Sequence, residues 1–366
     1  MALSAPTPTA SSRNLHLYGL DTFRFLSALL VIFTHTGVPF PTEFAARLGI
    51  VGKILGALYV NLFNGQGAVM VFFVVSGLCI HLPQVGRGTP NWGAFLIRRY
   101  LRLAVPLLAA FALSPLLQSK IFNGANPVYS IWWSLIAELI YYSCYPALFW
   151  AARRWSWTWV VAVSFGVSLV LLGLNYQVLH PAKFGRVTTA IIYLPVWILG
   201  CLLAEQIGQG RLPHPQQVGM SRWLWRAAIV GALILSNALI HHAPAFVPPV
   251  RFPFAVLMVG VVAWLWLPRE LAWCQAHRPF RWLEWCGALT YSLYLTHLNW
   301  HDLWIRGSTY RESLGKGTFG EFLAHTLFIL ALTVVFYFLI EGPSHRLARA
   351  AGQWWDRRQR AQPAGS

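Results

Sequence analysis

Apolar stretches of about 20 residues recur along this chain, and that is the length a helix needs to cross about 30 Å of hydrocarbon. Lipid offers no partner to a backbone N–H or C=O, so a segment placed there must close its own hydrogen bonds, as a helix does. The sequence is 57% hydrophobic and 11% charged with 19 Trp, and its mean hydropathy of +0.52 lies outside the range of a soluble domain. The expected fold is all-α, a polytopic membrane bundle of about ten transmembrane helices. Hydropathy places them at roughly 20–38, 60–82, 95–117, 129–150, 157–177, 187–206, 223–241, 252–267, 285–305 and 321–341.

An even number of spans puts both ends on one side, and Lys and Arg choose the side. With the N-terminus in the cytoplasm, 18 basic residues fall inside and 9 outside, Arg24 lying within the first span. That bias predicts N-in, C-in topology. Residues 1–18 then read as a flexible cytoplasmic leader without a signal peptide, 19–345 as one ten-helix domain and 346–366 as a basic cytoplasmic tail. The end of that tail, "RRQRAQPAGS", reads as disordered. The formal charge of +17 is spread among membrane-flanking loops. It forms no aromatic-interleaved basic patch, so the expected partner is the lipid bilayer and not nucleic acid. Five scattered cysteines make neither a disulfide framework nor a zinc cluster. Matching Gly/Pro-broken halves, the mark of inverted-repeat transporters, are absent.

Ionisable groups inside such segments are costly and mark function. In "GLDTFRFLSALLVIFTHTG" Arg24 and His35 are eleven residues apart. That is about 16 Å of helical rise and an azimuth within about 20°, so both occupy one face. Asp21, three residues before Arg24, is placed to pair with it. An imidazole on this polar face is available as a general base. "LIRRYLRLAVP" sets Arg98 and Arg102 at i and i+4 with Arg99 beside them, either ordinary orientation signals or a cluster for capturing phosphate. Glu138, deep in "WWSLIAELIYYSCYP", must face a polar interior and find a partner. Gly65, Gly67, Ser76 and Gly77 permit close helix packing, and His81 reads as interfacial. Tyr291, Ser292, Tyr294 and His297 are expected to line the interior. His297 and His301 have a metal-compatible spacing, but no third ligand follows, and no metal is expected. Glu341 is expected to pair with nearby arginines. Buried charges in a ten-span bundle also fit a transporter or flippase of sugar-linked or lipid-linked substrates.

Taken together, "GLDTFRFLSALLVIFTH", "VFFVVSGLCI", "RRYLRLAVP", "WSLIAELIYYSCYP", "YSLYLTH" and "IEGP" run in order from Gly19 to Pro343. In this they resemble the acyltransferase 3 family, multi-pass acyltransferases of bacterial cell-envelope sugars and related acceptors. The resemblance implies an enzyme of the bacterial inner (cytoplasmic) membrane that transfers an acyl group, commonly acetyl from acetyl-CoA, to a hydroxyl of a carbohydrate acceptor. Acyl-CoA would be a co-substrate, with no bound cofactor. By position His35 is similar to the family's essential histidine, Arg24 to its paired arginine, and Arg98, Arg99 and Arg102 to its basic cluster. Glu138 and Tyr142 match the "E…Y" part of the fourth motif, although Leu139 stands where many members carry a second acid. Tyr142 and Tyr291 are candidate oxyanion donors. Some members add a C-terminal hydrolase-like domain; its absence implies that this chain completes the transfer alone or hands the acyl group to a separate partner protein.

Overall fold

The computed structural model describes residues 16–117, 133–175, 184–242, 252–307 and 318–361. Among these the secondary structure is helical throughout. The helices are α1 (Leu20–Thr36), α2 (Thr42–Arg47), α3 (Gly49–Leu62), α4 (Gly65–His81), α5 (Trp92–Leu116), α6 (Trp133–Arg154), α7 (Trp157–Leu174), α8 (Arg186–Gly208) and α9 (Pro215–Val218). They continue with α10 (Ser221–His242), α11 (Phe252–Ala276), α12 (Arg281–Gly287), α13 (Thr290–Gly307), α14 (Phe319–Phe336) and α15 (Gly342–Ala361). A π turn, Tyr337–Glu341, joins α14 to α15.

A helix stands at every position where hydropathy places a span. By length and composition, six segments are able to cross a membrane: Gly65–Gln84, Trp133–Arg154, Trp157–Leu174, Arg186–Gly208, Phe254–Ala276 and Phe319–Arg360. The protein is a multi-pass membrane protein. α1 is shorter, at 17 residues, and α5, α10 and α13 carry ionisable and hydroxyl side chains within their apolar runs.

α4 is apolar on all sides and buried on all sides, as expected of a central helix. Asn64 caps it, its Oδ1 accepting from the Gly67 N–H at 2.8 Å while its amide donates to Leu233 O at 3.0 Å. Its tightest neighbour is α8. A Cβ built on Gly77 would lie 2.0 Å from the Trp197 carbonyl oxygen, and one on Gly200 would lie 2.1 Å from that of Val74. Only two glycines facing each other let the backbones meet so closely. The crossing also seats Trp197, fully buried, with its indole N–H donating to Ser76 Oγ at 3.2 Å. Gly77→Ala is expected to force the helices apart, at a cost of about 1–3 kcal/mol, read as a lower Tm of the purified protein in detergent.

Three features differ from the sequence reading. α2 and α3 occupy what reads as a loop; α3 is apolar but has only 14 residues, too few to span. α15 continues as a helix to Ala361, past the Arg357 at which the disordered end begins in the sequence reading, because it packs along α5. His81 is 1% exposed, not interfacial: its ring nitrogens lie 2.8 Å from Tyr145 OH and 2.8 Å from Glu205 Oε1. A buried imidazole needs both partners.

Candidate active site

α1, α4, α5, α6 and α13 enclose a cavity of about 240 Å³. One end is basic: Arg24 of α1 with Arg99 and Arg102 of α5, and Tyr291 stands beside them, bonded to the Leu103 carbonyl. Glu138, Tyr142 and Ser76 form the polar wall, and Tyr294, Phe72 and Val69 complete the lining. Most of these come from five segments remote in sequence, and each helix contributes the side chains of one face only.

The charges are anchored. Arg24 Nη1 lies 3.1 Å from Asp21 Oδ1, the local pair that the spacing predicts. Glu138 finds its partners in Ser76 Oγ, which donates at 2.6 Å, and Tyr142 OH, which donates to the same carboxylate oxygen. The Arg99 guanidinium lies 5.8 Å from the Tyr142 ring centroid and 5.7 Å from that of Phe95, cation–π distances that hold it over the cavity. Tyr291 OH is committed to the Leu103 carbonyl at 2.7 Å, and Tyr294 OH lies 2.6 Å from Ser134 Oγ.

Not every predicted residue reaches the cavity. Arg98 turns to α15, its Nη1 3.2 Å from Asp356 Oδ2. Ser292 is fully buried and serves Glu341: its N–H donates to Oε2 at 3.0 Å and its hydroxyl to the same atom. The other partner of Glu341 is His345, at 3.3 Å, instead of an arginine. His35 lies beyond the cavity's lining, half-buried beside His297 with ring centroids 5.4 Å apart. His297 is one turn past Tyr294 on α13, and its Nδ1 donates to the Tyr294 carbonyl at 2.8 Å. Its buried Nε2 has no hydrogen-bond partner among the described residues. α4 shows how near the cavity comes to this pair. Its lining residues run from Ile80 back to Val69, about 16 Å of rise. A Cβ on Gly65 would touch Thr34 Oγ1 at 3.1 Å, so Val69, one turn further along α4, stands about a turn short of His35.

α1 is held at its ends by groups the sequence reading missed. Glu284 of α12 accepts from the N–H groups of Gly19 at 3.0 Å and Thr22 at 3.3 Å, and from Thr22 Oγ1 at 2.5 Å. It is a cap supplied by a distant helix to the first turn, where the free N–H groups of a helix lie. Gly37, at φ +73°, ends the helix just after His35 and Thr36. Glu284→Ala is expected to cost about 1–2 kcal/mol of stability and Glu284→Gln less, again measured as Tm. Ser76, read as a packing residue, is the hub of the polar wall. His301 pairs with His325, Nδ1 to Nε2 3.2 Å, and among the described residues no group of three metal-ligating side chains gathers.

The cavity is thus basic at one end and walled by a hydroxyl-bonded carboxylate, with the His35–His297 pair beyond its lining. No curated protein and no solved structure gives a match. The family model described as an acyltransferase domain matches residues 17–342, nearly the whole chain, and the protein accordingly belongs to the acyltransferase 3 family of multi-pass membrane acyltransferases.

Proposed function

We propose that this acyltransferase moves an acetyl group from acetyl-CoA, on the cytoplasmic side of a bacterial inner membrane, to a hydroxyl of a cell-envelope carbohydrate on the other side, through a ten-span bundle with both ends in the cytoplasm. The observation that carries this reading is the polarity of the cavity: Arg24, Arg99 and Arg102 at one end and the His35–His297 pair beyond the other. Guanidinium groups bind phosphate oxygens bidentately, so the donor's phosphates meet Arg99 and Arg102 while the pantetheine arm follows the cavity wall past Ser76, Tyr291 and Tyr294.

At the far end His35 acts as general base. It takes the acceptor's hydroxyl proton as the oxygen attacks the thioester carbonyl; the tetrahedral intermediate collapses, the C–S bond breaks, and the imidazolium returns the proton to the departing sulfur. His297, its tautomer fixed by the Tyr294 carbonyl, orients His35. Glu138 holds Tyr142, and Tyr142 with Phe95 keeps Arg99 in place. Asp21 holds Arg24.

The experiment is to reconstitute the protein in liposomes, supply acetyl-CoA labelled in the acetyl group, and follow free CoA together with label on added envelope oligosaccharide. Stoichiometric CoA release and O-linked label are expected. Movement of a saccharide across the membrane without consumption of acetyl-CoA would identify a transporter or flippase instead.

A further inference from the structure

α15 follows the last apolar helix after a single π turn, so it starts where a span ends. Its sequence, "GPSHRLARAAGQWWDRRQRA", is strongly two-sided. One side packs on α5. Ser344 Oγ donates to Leu101 O at 3.0 Å, a Cβ on Gly352 would lie 2.5 Å from Arg98 Cγ, and a Cβ on Gly93 would lie 2.4 Å from Trp355 Nε1. Asp356, the one carboxylate in the helix, is spent on this contact, bonded to Arg98 at 3.2 Å and to the Asn91 amide at 2.8 Å.

The other side is exposed, and every charge on it is basic, with the neutral Gln353 among them. At about 100° per residue, Arg346, Arg349, Arg357 and Arg360 fall within about 80° of azimuth. A strip of Leu347 and Trp354 borders them, 51% and 56% exposed, with the Arg358 guanidinium 5.3 Å from the Trp354 ring centroid. Arginine beside an exposed tryptophan and leucine, on a helix that runs on from the last span along the outer end of α5, is a pattern suited to anionic headgroups at the level where the span ends.

We propose that this face binds the anionic headgroups of the leaflet where α14 ends, and that the membrane so bound clamps α15 onto α5, bracing the Trp92–Arg102 segment that carries Arg98, Arg99 and Arg102. The occupant is lipid, on charge complementarity and on continuity with the last span. Neither half depends on the identity of the acyl donor.

The test is amide hydrogen exchange of the full chain in nanodiscs of phosphatidylcholine alone and of phosphatidylcholine mixed with phosphatidylglycerol. Amides 346–361 are expected to exchange several-fold more slowly with phosphatidylglycerol, those of Trp92–Arg102 to follow, and added salt to erase the difference. The combined variant R346Q/R349Q/R357Q/R360Q should show no lipid dependence. Trp354→Ala, which keeps every charge and so leaves membrane orientation alone, should show a reduced one. Equal exchange in both lipids, or a difference indifferent to salt, overturns the lipid surface. Protection that grows with protein concentration in phosphatidylcholine alone also overturns it, marking a contact between copies instead. Protection of α15 without any at Trp92–Arg102 overturns the clamp.

Discussion

Replacing His35 by alanine is expected to lower acetyl transfer by about 10²–10⁴-fold, the contribution of a positioned general base, while donor binding stays unchanged. The separation follows from geometry: His35 sits beyond the cavity, beside His297, and the arginines sit at the opposite end. Single-turnover transfer of label from acetyl-CoA measures the first quantity and equilibrium binding of CoA the second. His297→Ala should fall between wild type and His35→Ala, because it removes an orienting neighbour and not the base. Transfer at the wild-type rate by His35→Ala would remove the histidine from the mechanism.

Arg102→Ala is expected to do the reverse, raising the KM for acetyl-CoA with a smaller change in kcat. A charge-assisted hydrogen bond contributes about 1.5–3 kcal/mol, so the KM should rise about 10–100-fold. Arg99→Ala should behave similarly, and Arg102→Lys should recover only part, since an ammonium lacks the planar fork. The discriminating control is Arg98→Ala. Arg98 faces Asp356 and not the cavity, so its loss should leave donor KM within a few-fold of wild type. If all three variants raise KM equally, the donor binds at the surface of α5 and not in the cavity.

The three arginines show where sequence reasoning reaches and where it stops. Spacing alone puts Arg98 and Arg102 on one face, and nothing local says that a carboxylate 258 residues later captures the first of them. The positions of the long helices were legible because lipid imposes one requirement on every apolar segment. α3 and α15 were not: one is too short to span and the other is polar enough to read as tail, and both are fixed by their neighbours. Asp21 and Arg24 were legible as a pair because they are one turn apart. Glu138 was legible as a group needing a partner, but its partner Ser76 lies 62 residues away in a motif that reads equally well as packing. Glu284 was invisible for the same reason: the N–H groups that donate to it, those of Thr22 and Gly19, are 262 and 265 residues distant. Spacing thus put Arg24 and His35 on one face of α1, while the assembly of five helices decided which side chains share the cavity.

The most direct measurement is the structure of the protein bound to a non-cleavable thioether analogue of acetyl-CoA. The phosphates are predicted to lie against Arg99 and Arg102, the pantetheine arm along Ser76, Tyr291 and Tyr294, and the carbonyl at the end of the cavity nearest His35. An analogue seated elsewhere, for instance in the second cavity lined by Gln84, Arg153, Glu205 and Arg211, or one whose carbonyl stays beside Cys79 at the basic end, would contradict it.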